Sequence, residues 1–478
     1  MTTPVEHPAA SGARIDPGSF RDPGNRVFTV DGEVYRALDK RNLDAWEALS
    51  SSRFFGEQLV RGNVVDTEPA AGVPTPAGAP PGGWAAVLHH RRIPIISYPY
   101  EWTFSMLRDA ALLQLDLLEA ALAEDMILKD STPYNVQFVG ARPVFIDVGS
   151  FEPLEPGDIW VGYRQFLRQY LYPLMLRAYV GVPHQPWLRG DAEGPTAQQM
   201  AAMLPLRHRA HKATLLHVTL PARGERRYKD STRDFRSEFR AAGFKKELIQ
   251  SNVRGLRSTV AALDWDHGRS TWNRYADECS HVSRDRGPKT DFLEKVLAEN
   301  PPNVVWDLGA NDGHFSRVAA TVAASVLAVD ADEEVLDGFY RSLHAEGNGV
   351  ILPMLQDLSA PSPGLGWRGG ERARMEDRSS PDLVLCFAVI HHLVVGRNVP
   401  LRQVVDWLAD LDSRVILEFV PPGDPMVELL SVNKRPHEIH GDYDEESLRR
   451  YLADRFIVEA EEALPECERR LFLLRPAG

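Results

Sequence analysis

The sequence predicts two units: an α/β unit with a doubly wound parallel sheet in the C-terminal part, and an α+β unit before it. From about residue 300 onward, continuous apolar runs alternate with helical stretches, which is the pattern of buried parallel strands covered by helices on both faces. A chain of 478 residues also exceeds what one hydrophobic core usually serves. The apolar runs are NVVWDLG, SVLAVD, GVILPML, PDLVLCFAVI and SRVILEFV.

The composition is that of a globular protein and narrows the classes of function. With 44% hydrophobic and 25% charged residues, the chain gives no reason to expect wholesale disorder. A formal net charge of -13 disfavours nucleic acid and anionic membranes as general partners. We predict no export signal, no membrane span and a cytoplasmic location. The cysteines Cys279, Cys386 and Cys467 form no C-x-x-C pair, so neither a zinc site nor a disulfide framework is indicated.

The N-terminal half is predicted to open with a disordered tail over residues 1–25, which is rich in Pro, Gly and Ala. The stretch RVFTVDGEVYRAL alternates like a hairpin around Asp31-Gly32, and helical spacing follows it. Residues 69–83 are rich in Pro and Gly and are predicted to be a flexible insertion. The half therefore begins as strands followed by a helix.

After the insertion we expect a strand at IPIISYP, a helix over roughly residues 104–125, a polar loop LKDSTPYNVQF and a strand PVFID. The closing RFIVEAEEALPECERRLFLLRP suits an antiparallel hairpin at the end of the chain. The predicted boundaries are 26–262 for the first unit, 263–290 for a helical connector and 291–478 for the C-terminal unit.

A glycine turn follows the first C-terminal strand, in VVWDLGANDGHF. In open α/β sheets, ligands bind beyond the carboxyl ends of the strands, where such turns let the backbone approach them. The dinucleotide pattern G-x-G-x-x-G is absent because Asn311 stands where its second glycine would lie, so NAD is disfavoured. The pattern present is D-x-G-x-x-x-G, formed by Asp307, Gly309 and Gly313.

This turn resembles the first motif of class I S-adenosylmethionine-dependent methyltransferases, which implies a Rossmann-like methyltransferase sheet. In that family the turn wraps the methionine end of S-adenosyl-L-methionine, and an acid at Asp307 suits the positive charge of that end. Asp330, 21 residues after Gly309, ends the second strand and can accept hydrogen bonds from both ribose hydroxyls. Asp357 stands where the resemblance implies an adenine contact, with a helix cap as its alternative. The predicted cofactor-binding residues are Asp307, Gly309, Ala310, Asn311, Gly313, Asp330 and Asp357.

The stretch DLVLCFAVIHHL resembles the fourth motif of these methyltransferases and places His391 and His392 at the end of a strand. No metal is required for methyl transfer, because the sulfonium already activates the methyl group. If the acceptor is a hydroxyl, a neutral imidazole at either histidine can take its proton. The alternative is that the histidines only cap the strand end. Glu418 is a further candidate for orienting the acceptor or the cofactor, with a plain surface carboxylate as its alternative.

The N-terminal segment ILKDSTPYNVQFVGARPVFIDVG contains a second pattern, with Asp130, then Asn135 five residues later, then Asp147 after a strand. It resembles the catalytic loop and metal-binding motif of protein kinases and aminoglycoside-type phosphotransferases. The resemblance implies a kinase-like domain in which Asp130 orients a substrate hydroxyl while Asn135 and Asp147 bind Mg²⁺. Mg-ATP would then be a second ligand.

Two features depart from the kinase pattern. RDPGNRVFTVDG is not a G-x-G-x-x-G loop, and VYRAL carries Arg36 where a strand lysine is expected. Glu47 and Glu57 are the candidate partners of that arginine. The alternative is a degenerate substrate-binding or scaffolding module in which the acids only cap loops.

Over most of its length the chain resembles a bacterial family of nodulation-related methyltransferases, which share segments similar to ISYPYEW and LKD-S-x-Y-N-x-Q-F. The resemblance implies methyl transfer without naming the acceptor. Three hypotheses follow: a methyltransferase for a small-molecule or glycan substrate with a kinase-like accessory half, a bifunctional kinase and methyltransferase, and a non-catalytic ligand-binding protein. The intact glycine turn and Asp330 disfavour the third. The sequence carries no indication of the oligomeric state.

Overall fold

A computed structural model of the protein describes residues 12–227, 246–265, 286–465 and 467–477. We call the described residues up to 265 the N-terminal unit and those from 286 onward the C-terminal unit. The predicted connector, residues 263–290, lies mostly outside the described residues. Within the described ranges, no helix combines the length and the apolar character needed to cross a membrane.

An antiparallel sheet of five strands opens the N-terminal unit. The predicted hairpin is confirmed, because Asp31 and Gly32 both have positive φ angles and the flanking strands pair in register. The structure differs from the predicted tail, since ordered pairing begins at residue 14 and Arg21 binds Glu371 of the C-terminal unit. The strands are β1 (Arg14–Ile15), β2 (Asn25–Val30), β3 (Glu33–Leu38), β4 (Thr67–Ala70) and β5 (Ala86–His90), in the order β1-β2-β3-β5-β4.

Helices make up most of the remaining N-terminal unit. The predicted helix over residues 104–125 is confirmed as Phe104–Ala123. The Thr103 side chain caps the first turn by accepting the N–H of Met106, and most leucines and alanines of the helix are buried. The helices are α1 (Lys40–Ser51), α2 (Arg53–Arg61), α3 (Phe104–Ala123), α4 (residues 163–180), α5 (Gln185–Gly190), α6 (Ala197–Met203), α7 (Leu206–Arg209), α8 (residues 212–227) and α9 (Lys246–Ala261). Two strand pairs join β6 (Met126–Leu128) to β9 (Phe151–Pro153), and β7 (Val136–Val139) to β8 (Arg142–Phe145).

The strand predicted at IPIISYP is wrong. The segment runs as turns into a short helical turn, Pro99–Glu101, because Pro94 and Pro99 have no N–H to donate to a sheet ladder. The following Trp102 is fully buried and donates its indole N–H to Ser97. The segment is therefore a rigid connection between the sheet and α3.

A sheet of seven strands forms the C-terminal unit, in the order β12-β11-β10-β13-β14-β16-β15. The first five strands are parallel, and β16 runs antiparallel to both β14 and β15, which confirms the predicted closing hairpin. The strands are β10 (Val304–Leu308), β11 (Ser325–Asp330), β12 (Ile351–Leu355), β13 (Leu383–Cys386), β14 (Arg414–Phe419), β15 (Phe456–Ala463) and β16 (Arg470–Pro476). The helices are α10 (Arg286–Glu299), α11 (His314–Ala319), α12 (Glu333–Ala345), α13 (Leu401–Asp410), α14 (Pro425–Ser431) and α15 (Glu445–Arg455).

The two units meet along helix α12, which directly follows β11. The fully buried Asp337 accepts hydrogen bonds from the backbone N–H and the hydroxyl of Ser105, at the N-terminus of α3. The hydroxyl of Tyr340, also on α12, donates a hydrogen bond to Asp109 on α3. Its ring also packs edge-on against Phe138. The wall of the C-terminal sheet beside β11 is therefore fixed to the N-terminal unit by buried polar and aromatic contacts.

Candidate functional site

The glycine turn after β10 has a backbone conformation that would be strained for any residue other than glycine. Gly309 and Gly313 have φ angles of 75° and 77°, in the left-handed region. A Cβ atom at Gly313 would lie 1.9 Å from the Phe339 ring, and one at Gly309 would lie 2.5 Å from Val389 Cγ2. Helix α11 starts at once after the turn. The chain thus packs tightly beneath the turn, at the carboxyl end of the parallel strands where ligands bind in such sheets.

Asp330 ends β11 beside this turn. One carboxylate oxygen accepts the N–H of Asn311 at 2.8 Å and the other accepts the N–H of Asp332 at 2.9 Å. A carboxylate oxygen can accept more than one hydrogen bond, so both oxygens keep acceptor capacity for a ligand. Burial raises the pKa of Asp330, which these backbone hydrogen bonds partly counter. The structure therefore brings Asn311 and Asp330 together as the sequence predicts.

Asp307 lies beneath the turn rather than along its surface. Its side chain is only 1% exposed and accepts the Ser316 hydroxyl at 2.6 Å. Burial is the main cause that raises the pKa of Asp307 to about 7, and the charge of Asp330 adds to it. Near neutral pH, Asp307 is therefore close to half protonated.

Asp357 follows β12 and stabilises a turn with its side chain, and no helix starts after it, so the helix cap that the sequence left open as its alternative is not formed. Its Oδ1 accepts both the N–H and the hydroxyl of Ser359, while its Oδ2 lies 3.1 Å from Arg397. The Asp357 and Arg397 side chains are both well exposed. An exposed pair of this kind is weak and exchanges readily for contacts to a ligand. Its predicted adenine contact stays a prediction.

The predicted position of the two histidines needs a correction. Strand β13 ends at Cys386, and Ala388 has a positive φ of 52°, which turns the chain out of the sheet. His391 and His392 therefore start a helical turn beyond the strand rather than ending the strand itself. Their rings lie 4.1 Å apart between centroids.

His391 is the more enclosed of the two histidines. It is 1% exposed, and neither ring nitrogen has a hydrogen-bond partner among the residues that the structure describes. Burial is the main cause that lowers its pKa to about 2, and His392, Arg469 and Lys289 add to the lowering. Burial also lowers the pKa of His392 to about 4. Both imidazoles are therefore neutral at physiological pH.

A buried ionic cluster lies beside His391, and Glu418 is the one member that the sequence marks as a candidate. Glu418, at the end of β14, is fully buried, with Lys289 Nζ 2.8 Å from one oxygen as an ion pair and Arg469 Nη1 3.2 Å from the other. Arg469 also binds Asp424 with two hydrogen bonds, of 2.7 and 3.1 Å. Glu418 is thus no surface carboxylate. Lys289 and Arg469 carry no sequence pattern that marks them, because they lie far from Glu418 along the chain.

The predicted metal ligands of the N-terminal unit come together, but around an arginine. Arg36 Nη1 lies 2.7 Å from Asp147 Oδ1, so its partner is Asp147 and not Glu47 or Glu57. The other Asp147 oxygen accepts from Ser150 and from Asn135. Both Asp147 oxygens are therefore engaged, one of them by a resident cation, and the arrangement does not fit Mg²⁺.

Asp130, the predicted base, lies half-buried on the same loop. No described residue donates a hydrogen bond to its carboxylate, and burial together with the charge of Asp147 raises its pKa. In the part of the chain that the structure describes, no group of three or more His, Cys, Asp or Glu side chains is placed to hold a metal ion. The N-terminal site thus keeps the acids of the predicted motif without a vacant cation position.

The strand order, the closing antiparallel hairpin and the glycine turn after β10 define the C-terminal unit as a Rossmann-like methyltransferase fold of class I. No protein-family model matches the chain. The chain belongs to the family of the nodulation protein NoeA. It is 34% identical to NoeA of Rhizobium meliloti (strain 1021) over 458 residues, which cover 95% of this chain and 94% of that protein. The predicted relation to a nodulation-related family is confirmed.

Several solved structures match part of the chain. One is magnesium protoporphyrin IX methyltransferase (ChlM) from Synechocystis PCC 6803 with bound SAH, 20% identical, covering 41% of this chain and 88% of that chain with a TM-score of 0.30. Another is the N-methyltransferase NodS from Bradyrhizobium japonicum WM9 with S-adenosyl-l-homocysteine, 12% identical, covering 42% and 90% with a TM-score of 0.31. Because these TM-scores are low, we assign the fold from the strand order and not from these matches.

Proposed function

We propose that this protein is an S-adenosyl-L-methionine-dependent methyltransferase acting on a small-molecule or glycan acceptor. One observation carries the proposal. The left-handed turn from Gly309 to Gly313 and the carboxylate of Asp330 stand side by side at the carboxyl ends of β10 and β11, the position where open α/β sheets bind nucleotide-like ligands.

The side chains and backbone of this edge suit the proposed cofactor. The two Asp330 oxygens suit a pair of ribose hydroxyls, and the Asp357 carboxylate suits an amino group on adenine. The backbone around Gly309, Ala310, Asn311 and Gly313 would surround the methionine end, with Asp307 supporting the turn from below. When bound, S-adenosyl-L-methionine supplies a methyl group that its positive sulfur already activates. The chain then has to align the acceptor with that methyl group and exclude water.

For the N-terminal unit we propose a kinase-like fold that serves as an accessory domain. The order of its elements supports this: the five-stranded sheet is followed by a hinge-like segment and helix α3, then a loop with Asp130 and Asn135, then a strand pair and Asp147. Because Arg36 holds Asp147, we propose acceptor recognition rather than phosphotransfer. The bifunctional alternative would require Arg36 to leave Asp147 before Mg-ATP could bind.

Isothermal titration calorimetry tests the proposal directly. We expect the purified chain to bind S-adenosylmethionine and its demethylated product, and we expect no binding of Mg-ATP. Asp330→Ala should cost about 1.5 to 3 kcal/mol of cofactor binding, because hydrogen bonds to a charged acceptor are lost. That cost is roughly one to two decades in affinity. The exposed Asp410, on α13, provides the matched control Asp410→Ala.

Each outcome of the calorimetry has a separate meaning. A folded wild-type chain that ignores both nucleosides at millimolar concentration would refute the proposed function. An unchanged affinity in a folded Asp330→Ala variant would refute only the ribose assignment. Binding of Mg-ATP by the wild-type chain would favour the bifunctional alternative.

A further inference from the structure

The imidazole of His391 is buried, and its hydrogen-bonding groups are unused among the described residues. His391 is 1% exposed, and neither of its ring nitrogens is bonded within the described ranges of the chain. Buried polar atoms in proteins are nearly always paired, because leaving one unpaired costs stability. A histidine kept in this state at the ligand-binding edge of the sheet points to a group that it binds during function.

The position of His391 agrees with a role in methyl transfer. Val389, two residues before it, packs directly under Gly309 of the turn that we propose for the methionine end of the cofactor. His391 therefore lies at the carboxyl end of the central strands, on the side of the turn facing β14 and away from Asp330, which lies toward β12. This is the side on which an acceptor can approach a methyl group held at the turn.

The charges around His391 restrict the kind of acceptor. The neighbouring cluster contains two cations, Lys289 and Arg469, and two carboxylates, Glu418 and Asp424, and every member is paired within the cluster. An acceptor in its ammonium or carboxylate form would find no unpaired counter-charge there, and burying its charge would be unfavourable. The cluster therefore favours a neutral acceptor.

The neutral imidazole of His391 further restricts which chemical group of the acceptor it can bind. It carries one N–H donor and one nitrogen acceptor, and a hydroxyl group offers the complementary acceptor and donor. We propose, on the basis of the proposed methyltransferase function, that the acceptor atom is a hydroxyl oxygen of a neutral molecule and that His391 binds this hydroxyl and takes its proton. The protein would then be an O-methyltransferase.

The step balances without a further reactant. The hydroxyl oxygen forms the new bond to the methyl carbon as the bond from that carbon to sulfur breaks, and the sulfonium becomes a neutral thioether. The proton of the hydroxyl passes to the free ring nitrogen of His391 and is released to water when the product leaves. A pKa of about 2 does not prevent this transfer, because an oxygen that is gaining a methyl group becomes a far stronger acid than the imidazolium.

The covered position of His391 is consistent with this chemistry, because methyl transfer requires the reacting atoms to be kept from water. The charges of Lys289 on α10 and of Arg469, next to β16, act on the ring. Because the ring is only 1% exposed, the acceptor reaches the imidazole only when the side chains that cover it move.

The first test identifies the methylated atom. The purified chain is incubated with S-adenosylmethionine carrying a ¹³C-labelled methyl group and an extract of the small molecules and glycans of cells that lack this protein. Carbon–proton correlation spectra then separate methyl groups on oxygen, nitrogen and carbon, and mild alkali separates ethers from esters. We expect an alkali-stable O-methyl product. Labelled N-methyl, C-methyl or ester products would overturn the proposal, and so would no transfer by a chain that binds the cofactor. A chain that does not bind the cofactor would refute the proposed function instead.

The second test uses variants of His391, and one of its readouts needs no cofactor. His391→Gln keeps a donor and an acceptor but cannot take a proton, so we expect the transfer rate to fall by roughly 10²- to 10⁴-fold with an unchanged cofactor affinity. His391→Leu removes the unpaired polar atoms, so the melting temperature of the unliganded variant should rise by roughly 2 to 4 °C. The exposed His211 of the N-terminal unit gives the control His211→Gln. A full transfer rate in His391→Gln, or a lower melting temperature in His391→Leu, would overturn the assignment of His391.

Discussion

Replacing Asp307 with asparagine should remove a pH-dependent loss of stability from the C-terminal unit. The carboxyl is enclosed beneath the glycine turn, and burial is the main cause that raises its pKa to about 7 from 3.8. An asparagine has nearly the same shape and can still accept the Ser316 hydroxyl, but it does not ionise. The variant therefore separates the effect of the charge from the effect of the shape.

The sign follows from proton binding. Between pH 3.8 and about 7, the folded chain holds a proton on Asp307 that the unfolded chain has lost, so the free energy of unfolding falls as the pH rises. The contribution is fully present below the unfolded pKa and is lost once the pH passes about 7. The difference, 7 − 3.8, is about 3 pKa units, which at 1.36 kcal/mol per unit is about 4 kcal/mol in total. Between pH 5 and pH 8 the loss is about 3 kcal/mol.

Urea unfolding of the wild type and of Asp307→Asn at pH 5 and pH 8 measures this difference. The variant should gain about 3 kcal/mol relative to the wild type between the two pH values, because all other titrating groups are common to both chains. Asp410→Asn, which removes an exposed carboxylate, should change little between them. If the wild type and Asp307→Asn show the same pH dependence, Asp307 is ionised throughout, and the raised pKa assigned to it is wrong.

Two further predictions concern the contacts of the N-terminal unit. Arg36→Ala should raise the affinity of the chain for Mn²⁺ at least about tenfold, which calorimetry measures, because Asp147 loses the positive charge that lies 2.7 Å from its carboxylate. An unchanged affinity in the folded variant would show that Asp147 and Asn135 are not latent metal ligands. Arg378→Met should lower the free energy of unfolding by about 3 to 5 kcal/mol, because it leaves Glu101 buried and unpaired. Adding Glu101→Gln should restore most of that loss in urea unfolding, whereas additive losses would mean that the two residues act independently.

The sequence predicted the elements whose patterns are local. The strand β11 and the hairpin at Asp31-Gly32 were predicted correctly because alternating or continuous apolar residues and turn residues with positive φ are visible within a few positions. The turn at Gly309 was visible for the same reason. The strand prediction at IPIISYP is wrong because the apolar residues of this segment resemble a strand, while its two prolines lack the N–H groups that a sheet requires.

The parts that could not be predicted depend on residues far apart in the chain. Arg36 and Asp147 are separated by 111 positions, and nothing within either segment indicates the other. The pair formed by Lys289 on α10 and Glu418 on β14 likewise joins residues that are far apart in the sequence. The strand before His391 ends earlier than predicted because Ala388 has a left-handed backbone conformation. An alanine in a sequence does not indicate such a conformation.

The segment ISYPYEW gains a physical explanation from its partner in the C-terminal unit. Arg378 donates to both carboxylate oxygens of Glu101, at 2.6 and 2.7 Å, and the two side chains are 3% and 0% exposed. The hydroxyl of Tyr98 accepts the N–H of Ala373. These contacts hold the end of the long loop that begins near Asp357, the predicted adenine contact, and closes at β13. Because the N-terminal unit fixes this loop and also holds α12 beside Asp330, it supports both sides of the proposed cofactor site even without chemistry of its own. That dependence gives a physical reason for the identity to NoeA to extend over 95% of the chain rather than over the methyltransferase sheet alone.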